Sequence, residues 1–247
     1  MFLQFSNFRA KENQNWISII VISACSQQTI RPDHSEQKSV QERSAQAAGQ
    51  DNSVSKNITD GSISGYDEYY KSGLSWDNKG QYDRAIQDFD KAIELKPGFA
   101  NAYYNRGASW GHKDQYDRAI QDFDKAIELD PGFANAYYNR GTSWNHKVQY
   151  DRAIQDFNKA IELNPGYAEA YGNRGIAWNK KGQYDRAIQD FNKAIELNPG
   201  DPMIYTNRGV SWILIKNMQN GCLDLYKACQ LGDCNGLNLA KQNGICR

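Results

Sequence analysis

The nonapeptide QYDRAIQDF occurs four times without change, at 81–89, 115–123, 149–157 and 183–191, and KAIEL follows each copy at 91, 125, 159 and 193. A repeat every 34 residues is too short to be a domain, so each period reads as one supersecondary unit that buries its apolar face only by stacking on the next. Within a unit, Tyr103, Gly107 and Trp110 lie three or four residues apart, and so do Ala119, Phe123 and Ala126. That spacing puts each set on one face of a helix. Glycine and alanine let the two helices approach while the aromatic rings fill the space beside them. Pro97, Pro131, Pro165 and Pro199 stop the second helix of each unit. Asp83, Asp117, Asp151 and Asp185 fall near its start, where a carboxylate can cap free amides and meets the positive end of the helix dipole.

The order Tyr103, Arg106, Gly107, Trp110, Ala119, Phe123, Pro131 has the spacing W-x2-L-G-x2-Y, A-x3-F, P of the tetratricopeptide repeat, and residues 66 to 233 resemble that family. The resemblance implies an all-α fold, a right-handed α-solenoid of five helix-turn-helix repeats near 66–99, 100–133, 134–167, 168–201 and 202–233, plus a C-terminal capping helix in 234–247. The fifth copy drifts, and residues 236–243, with Leu237, Leu239 and Ala240, read as the cap that covers the last hairpin. Two departures from the family pattern matter. Arg106, Arg140, Arg174 and Arg208 stand where leucine is usual, and they are expected to pair with acidic residues of neighbouring helices. Val148 stands where Gly80 and Gly182 supply a permissive turn residue, so a left-handed backbone there would be strained.

Lys plus Arg and Asp plus Glu both number 29, so no net field draws the chain to nucleic acid or an anionic surface. There is no nucleophile motif or phosphate loop, and the three histidines are His34, His112 and His146. His112 and His146 share a column, but no third ligand lies at short spacing to complete a metal site. The expectation is therefore a chain with no catalytic residues, cofactor or metal. In the family, first helices line a concave groove that grips peptides. The columns Tyr70, Tyr104, Tyr138, Gly172, Thr206 and Leu74, Ala108, Thr142, Ile176, Val210 vary between copies, while packing columns hardly change. Beside them run Lys71, Asn105, Asn139, Asn173 and Asn207. Amides can donate to and accept from a peptide backbone, and tyrosine offers flat area with a polar tip. Tyr70, Tyr104, Asn105, His112, Tyr138, Asn139, His146, Asn173 and Asn207 are the expected contacts for a protein or peptide ligand. The other reading is that the repeated asparagines satisfy neighbouring helices. Of the lysine and arginine clamp that one subfamily uses for acidic carboxyl-terminal tails, only Asn105 matches, which favours a neutral, polar-aromatic ligand.

Before the array, Trp16 to Ala24 form a nine-residue apolar run, short of the roughly 20 residues that cross a bilayer but sufficient for a signal-peptide core. Ile22, Ser23, Ala24 and Cys25 resemble the bacterial lipobox, in which the cysteine is acylated. Residues 1–25 are thus expected to be a lipoprotein signal segment, with a cytoplasmic leader or a misassigned start as the alternative. Residues 26–64 contain no aromatic residue and read as a disordered polar linker, with a root-mean-square span of roughly 35 Å. The expected location is the bacterial cell envelope, with membrane attachment only through Cys25. The alternative is a cytoplasmic adaptor or a regulatory subunit of an enzyme complex. Cys222, Cys229, Cys234 and Cys246 cluster at the end of the chain. Cys222 and Cys229 lie roughly 10 Å apart on one helix, beyond disulfide reach, and are expected to be small buried residues. Cys234 and Cys246 flank the cap and are expected to staple it in an exported protein.

Overall fold

The computed structural model describes residues 65–247; the leader, Cys25 and the linker lie outside them. The described residues form α1 Gly65–Asn78, α2 Tyr82–Leu95, α3 Ala100–His112, α4 Tyr116–Leu129, α5 Ala134–His146, α6 Tyr150–Leu163, α7 Ala168–Lys180, α8 Tyr184–Leu197, α9 Pro202–Leu214, α10 Met218–Gln230 and α11 Asn235–Gln242. The first ten pair as five hairpins and α11 is the cap. Each of the first four second helices ends on leucine two residues before its proline. The aspartates of their first turns do not cap them: the N-cap residues Gln81, Gln115, Gln149 and Gln183 make no side-chain cap bond. Asp83, Asp117 and Asp151 instead accept from Lys113, Lys147 and Lys181 of the following repeat, and this ties repeat to repeat.

Inside each hairpin a phenylalanine fills the gap that a glycine leaves. Phe89, Phe123, Phe157 and Phe191 are 0–1% exposed. A Cβ added at Gly73, Gly107, Gly141 or Gly175 would come within 2.6–2.9 Å of the facing ring. Successive first helices touch one another at all four junctions, and among the described residues successive second helices have no such recurring contact. The array therefore curves with its first helices on the inside.

Both ends of the array are finished. The buried column Ala102, Ala136, Ala170 becomes the exposed Glu68 in the first repeat, the buried Ser109, Ser143, Ser211 column becomes the exposed Ser75, and the arginine column becomes Ser72. A polar face there needs no preceding hairpin. At the other end Leu237 and Ala240 of α11, with Cys246, pack on Ile213 and Leu225. The disulfides are Cys222–Cys246 and Cys229–Cys234, with Cα atoms 5.6 and 4.0 Å apart. The expected Cys234–Cys246 bridge is not formed. An eight-residue helix separates its own flanks by about 12 Å at 1.5 Å per residue, too far for one disulfide. Cys234 instead meets Cys229 just across the turn, and the chain after α11 runs back to place Cys246 beside Cys222. Neither Cys222 nor Cys229 is the free buried thiol expected of it.

The turn between the two helices of a repeat takes a left-handed residue in every copy, Gly80, Asp114, Val148, Gly182 and Lys216. Val148 has φ 61° and is 66% exposed, so the strained turn is real and its side chain gains little in return. Val148→Gly is expected to stabilise the fold by about 1 kcal/mol, measured as a higher midpoint of chemical denaturation.

Candidate functional site: the inner face of the first helices

The first helices carry tyrosine and asparagine in adjacent columns, and stacking brings them together across each junction. Asn105 Nδ2 donates to Tyr70 Oη at 2.9 Å, Asn139 to Tyr104 at 2.9 Å and Asn173 to Tyr138 at 2.7 Å. Burial, the larger effect, and the nearby charge of Asp67 outweigh the Asn105 bond and push the Tyr70 phenol up to about 12. The same rings pack on the N-cap residue that leads into the next first helix, Tyr70 on Phe99 and Tyr104 on Phe133 with centroids 4.7 Å apart, Tyr138 on Tyr167 at 4.8 Å. Six of the nine expected ligand contacts thus form a ladder that joins repeats.

The fourth junction is built differently. Gly172 replaces the tyrosine, Asp201 replaces the ring that packs on it, and Ile204 replaces an alanine. A Cβ at Gly172 would lie 2.7 Å from Ile204 Cδ1, so the isoleucine occupies the space of the missing ring. Asp201 caps α9 by accepting from the Met203 amide at 2.8 Å. Asn207, 4% exposed, has no tyrosine in the preceding column to receive its amide.

One column further along, Ser109 donates to Asp77 at 2.6 Å, and Asn179 donates to Ser211 at 2.8 Å. Asn145 faces Ala177 instead, and its Oδ1 is buried without a hydrogen-bond partner. Ala177→Ser would place a hydroxyl where the serine stands in other copies. It is expected to stabilise by about 1 kcal/mol, read as a rise in melting temperature that disappears in an Asn145→Ala background.

His112 stacks on Tyr82 with centroids 4.7 Å apart and His146 on Tyr116 at 4.6 Å, each pair bridging two repeats at the edge of the inner face. Burial lowers the His146 imidazole below its usual value, against the pull of Asp114, which favours the neutral ring. The arginines pair as their sequence position suggests. Arg106 donates from Nε to Asp122 at 2.8 Å and from Nη1 to Asp90 of the preceding repeat at 2.6 Å. Arg140 repeats this with Asp156 and Asp124, while Arg174 and Arg208 reach Asn158 and Asn192 as the second partner. Burial pulls the Arg106 and Arg140 guanidiniums down, and the bonds to their carboxylates more than restore them. These arginines are structural cross-links. Among the described residues no group of three or more His, Cys, Asp or Glu side chains could hold a metal ion, and no helix is long and apolar enough to cross a membrane.

Tetratricopeptide-repeat models match residues 100–133, 134–167 and 168–201, and a TPR-repeat model matches 78–110. Together they run from 78 to 201, 124 of 247 residues. Comparison with curated proteins returned no match. Among solved structures, the array resembles a crystal structure of MamA protein at 26% identity and TM-score 0.62, covering 67% of this chain and 91% of that one. It also resembles YrrB, described as a TPR protein with an unusual peptide-binding site, at 27% identity and TM-score 0.60 over 70% of this chain and 90% of that one. PilF of Pseudomonas aeruginosa shares the fold at 21% identity and TM-score 0.65, covering 73% and 85%. With the period, the paired helices and the glycine-phenylalanine packing all in place, the chain belongs to the tetratricopeptide-repeat family.

Proposed function

We propose that this chain is a non-enzymatic scaffold that holds a peptide or protein on the inner face of its first helices, tethered to the bacterial cell envelope through an acylated Cys25. The observation that carries the scaffold reading is the contrast between faces. The second helices keep QYDRAIQDF and KAIEL in four copies, whereas the half-buried inner positions Leu74, Ala108 and Thr142 differ from repeat to repeat. The unusual peptide-binding site of YrrB supports the same use of this fold. Because the tyrosines and Asn105, Asn139 and Asn173 bond to one another, their partner-facing role is the exposed flank of the ladder, whereas Asn207 is only 4% exposed. The two disulfides suit an oxidising compartment, which supports export.

Tyr104→Ala with Asn139→Ala would break a bond between repeats as well as a ligand contact. The cleaner test blocks the groove at half-exposed positions. Ala108→Arg with Thr142→Arg is expected to weaken partner capture by about thirtyfold or more, while stability changes by about 0.5 kcal/mol or less. Unchanged capture by that variant would move the site off the inner face. Intact mass of the membrane fraction tests the anchor. An acylated Cys25 terminus is expected, and a terminus at Met1 would refute it.

A further inference from the structure

The described array is electrically neutral as a whole, yet its charges are sorted between its two long edges. First helices run from one edge to the other and second helices return, so every turn within a repeat lies on one edge and every turn between repeats on the opposite edge. The within-repeat edge of the last three repeats carries Lys147, Arg152, Lys180, Lys181, Arg186 and Lys216 against Asp151 and Asp185, and with Lys147 held by Asp117 and Lys181 by Asp151 the basic groups left for a partner are Arg152, Lys180, Arg186 and Lys216. The arginines there are held ready: Arg152 and Arg186 are exposed and lie over Trp144 and Trp178, 4.6 and 4.8 Å from the ring centres. Stacking fixes the guanidinium plane and leaves its N–H groups for an acceptor.

From the second repeat onward the between-repeat edge has the opposite sign. Glu128, Asp130, Glu162, Glu196 and Asp201 lie in its turns and adjoining helix ends. Lys125, Lys159 and Lys193, one turn back on the second helices, pair with the three glutamates. The glutamates remain 67–68% exposed. Asp130 and Asp201 stay on that edge without a lysine in their own turns.

We propose that the basic edge of one molecule docks on the acidic edge of a second copy, side by side, leaving the inner face of each open. The occupant is a second copy because the same chain carries both complementary edges, spaced by the same repeat, so one sliding contact pairs several charges at once. An anionic membrane would use the basic edge but leave the acidic one without a role. The two ends of the array do not serve for stacking, since the first repeat presents Glu68, Ser72 and Ser75 and the last is covered by α11. Contacts between two different patches of this kind do not close on themselves and build rows, and charge complementarity sets their register and salt dependence.

Sedimentation velocity on the full-length chain decides it. At about 10 mM salt, where the Debye length is ~30 Å, the sedimentation coefficient is expected to rise with concentration, and at about 1 M, where it is ~3 Å, the rise is expected to vanish. Lys180→Gln, Arg186→Gln and Lys216→Gln together should abolish the association. A control of equal net charge on the outer helices, Gln87→Glu with Gln121→Glu and Gln155→Glu, should keep it. A wild-type chain that sediments as a monomer at low salt overturns the proposal, and so does a control that loses association as fully as the edge variant. Wild-type binding to anionic phosphatidylglycerol vesicles without self-association would assign the basic edge to a membrane and overturn it equally.

Discussion

Asp156→Ala is expected to destabilise the folded array by about 3 kcal/mol. Asp156 is 6% exposed and accepts from Arg140 Nε at 2.8 Å and Nη2 at 2.6 Å. Its removal leaves a guanidinium whose side chain is only 20% exposed, with Asp124 alone to balance it, and Asp124 is itself 55% exposed. Breaking such a pair costs more than the pair contributes, because the cost lies in the uncompensated charge. The double variant Arg140→Leu with Asp156→Leu removes both charges and puts leucine where the family pattern has it. It should return to within about 1 kcal/mol of wild type. Urea denaturation of the two variants separates the causes: a double variant no more stable than Asp156→Ala would mean that packing, not charge, sets the cost.

Phe157→Ala is expected to cost about 3 to 5 kcal/mol. The ring is 0% exposed, and Gly141 approaches it so closely that an added Cβ would sit 2.9 Å from it. The facing position is glycine and has no side chain to swing into the cavity. In a stack where each repeat contacts only its neighbours, the loss should be regional. Amide hydrogen exchange should accelerate most in α5 and α6 and less in α1 and α2. Uniform acceleration along the whole array would show that the five hairpins unfold as one unit.

Much of this architecture is legible in the sequence because the period repeats the same packing problem. The glycine-phenylalanine pairs, the proline stops and the arginine partners follow from columns that change together or not at all. The left-handed turn at Val148 follows from the glycines two of its counterparts carry. The cysteine pairing was not legible, because reading the cap as a point that folds back ignores the length of its own helix. Geometry places the two real bridges across a turn and along the returning tail. The first-turn aspartates read as caps because their position along the helix suits one, but a lysine of the next repeat reaches them first. That bond crosses 30 residues and has no signature within a single repeat.

The inner face was half legible. Variable columns marked where the copies differ, yet tyrosine and asparagine in adjacent columns also meet across a junction, as Asn105 and Tyr70 do. The signal for this lies in the fourth junction, where tyrosine becomes glycine while alanine becomes isoleucine. A compensating change of that kind identifies the column as a packing column as well as a surface.

Site-specific photo-crosslinking in the native cell tests the scaffold reading most directly. A photoreactive residue is placed at Thr142, half exposed on the inner face, or at Gln121, exposed on a second helix, in the full-length chain. The expected result is one discrete adduct from position 142 that the Ala108→Arg block suppresses, with no adduct of that size from position 121. Adducts from position 121 alone, or the same adducts from both positions, would contradict a partner held on the inner face.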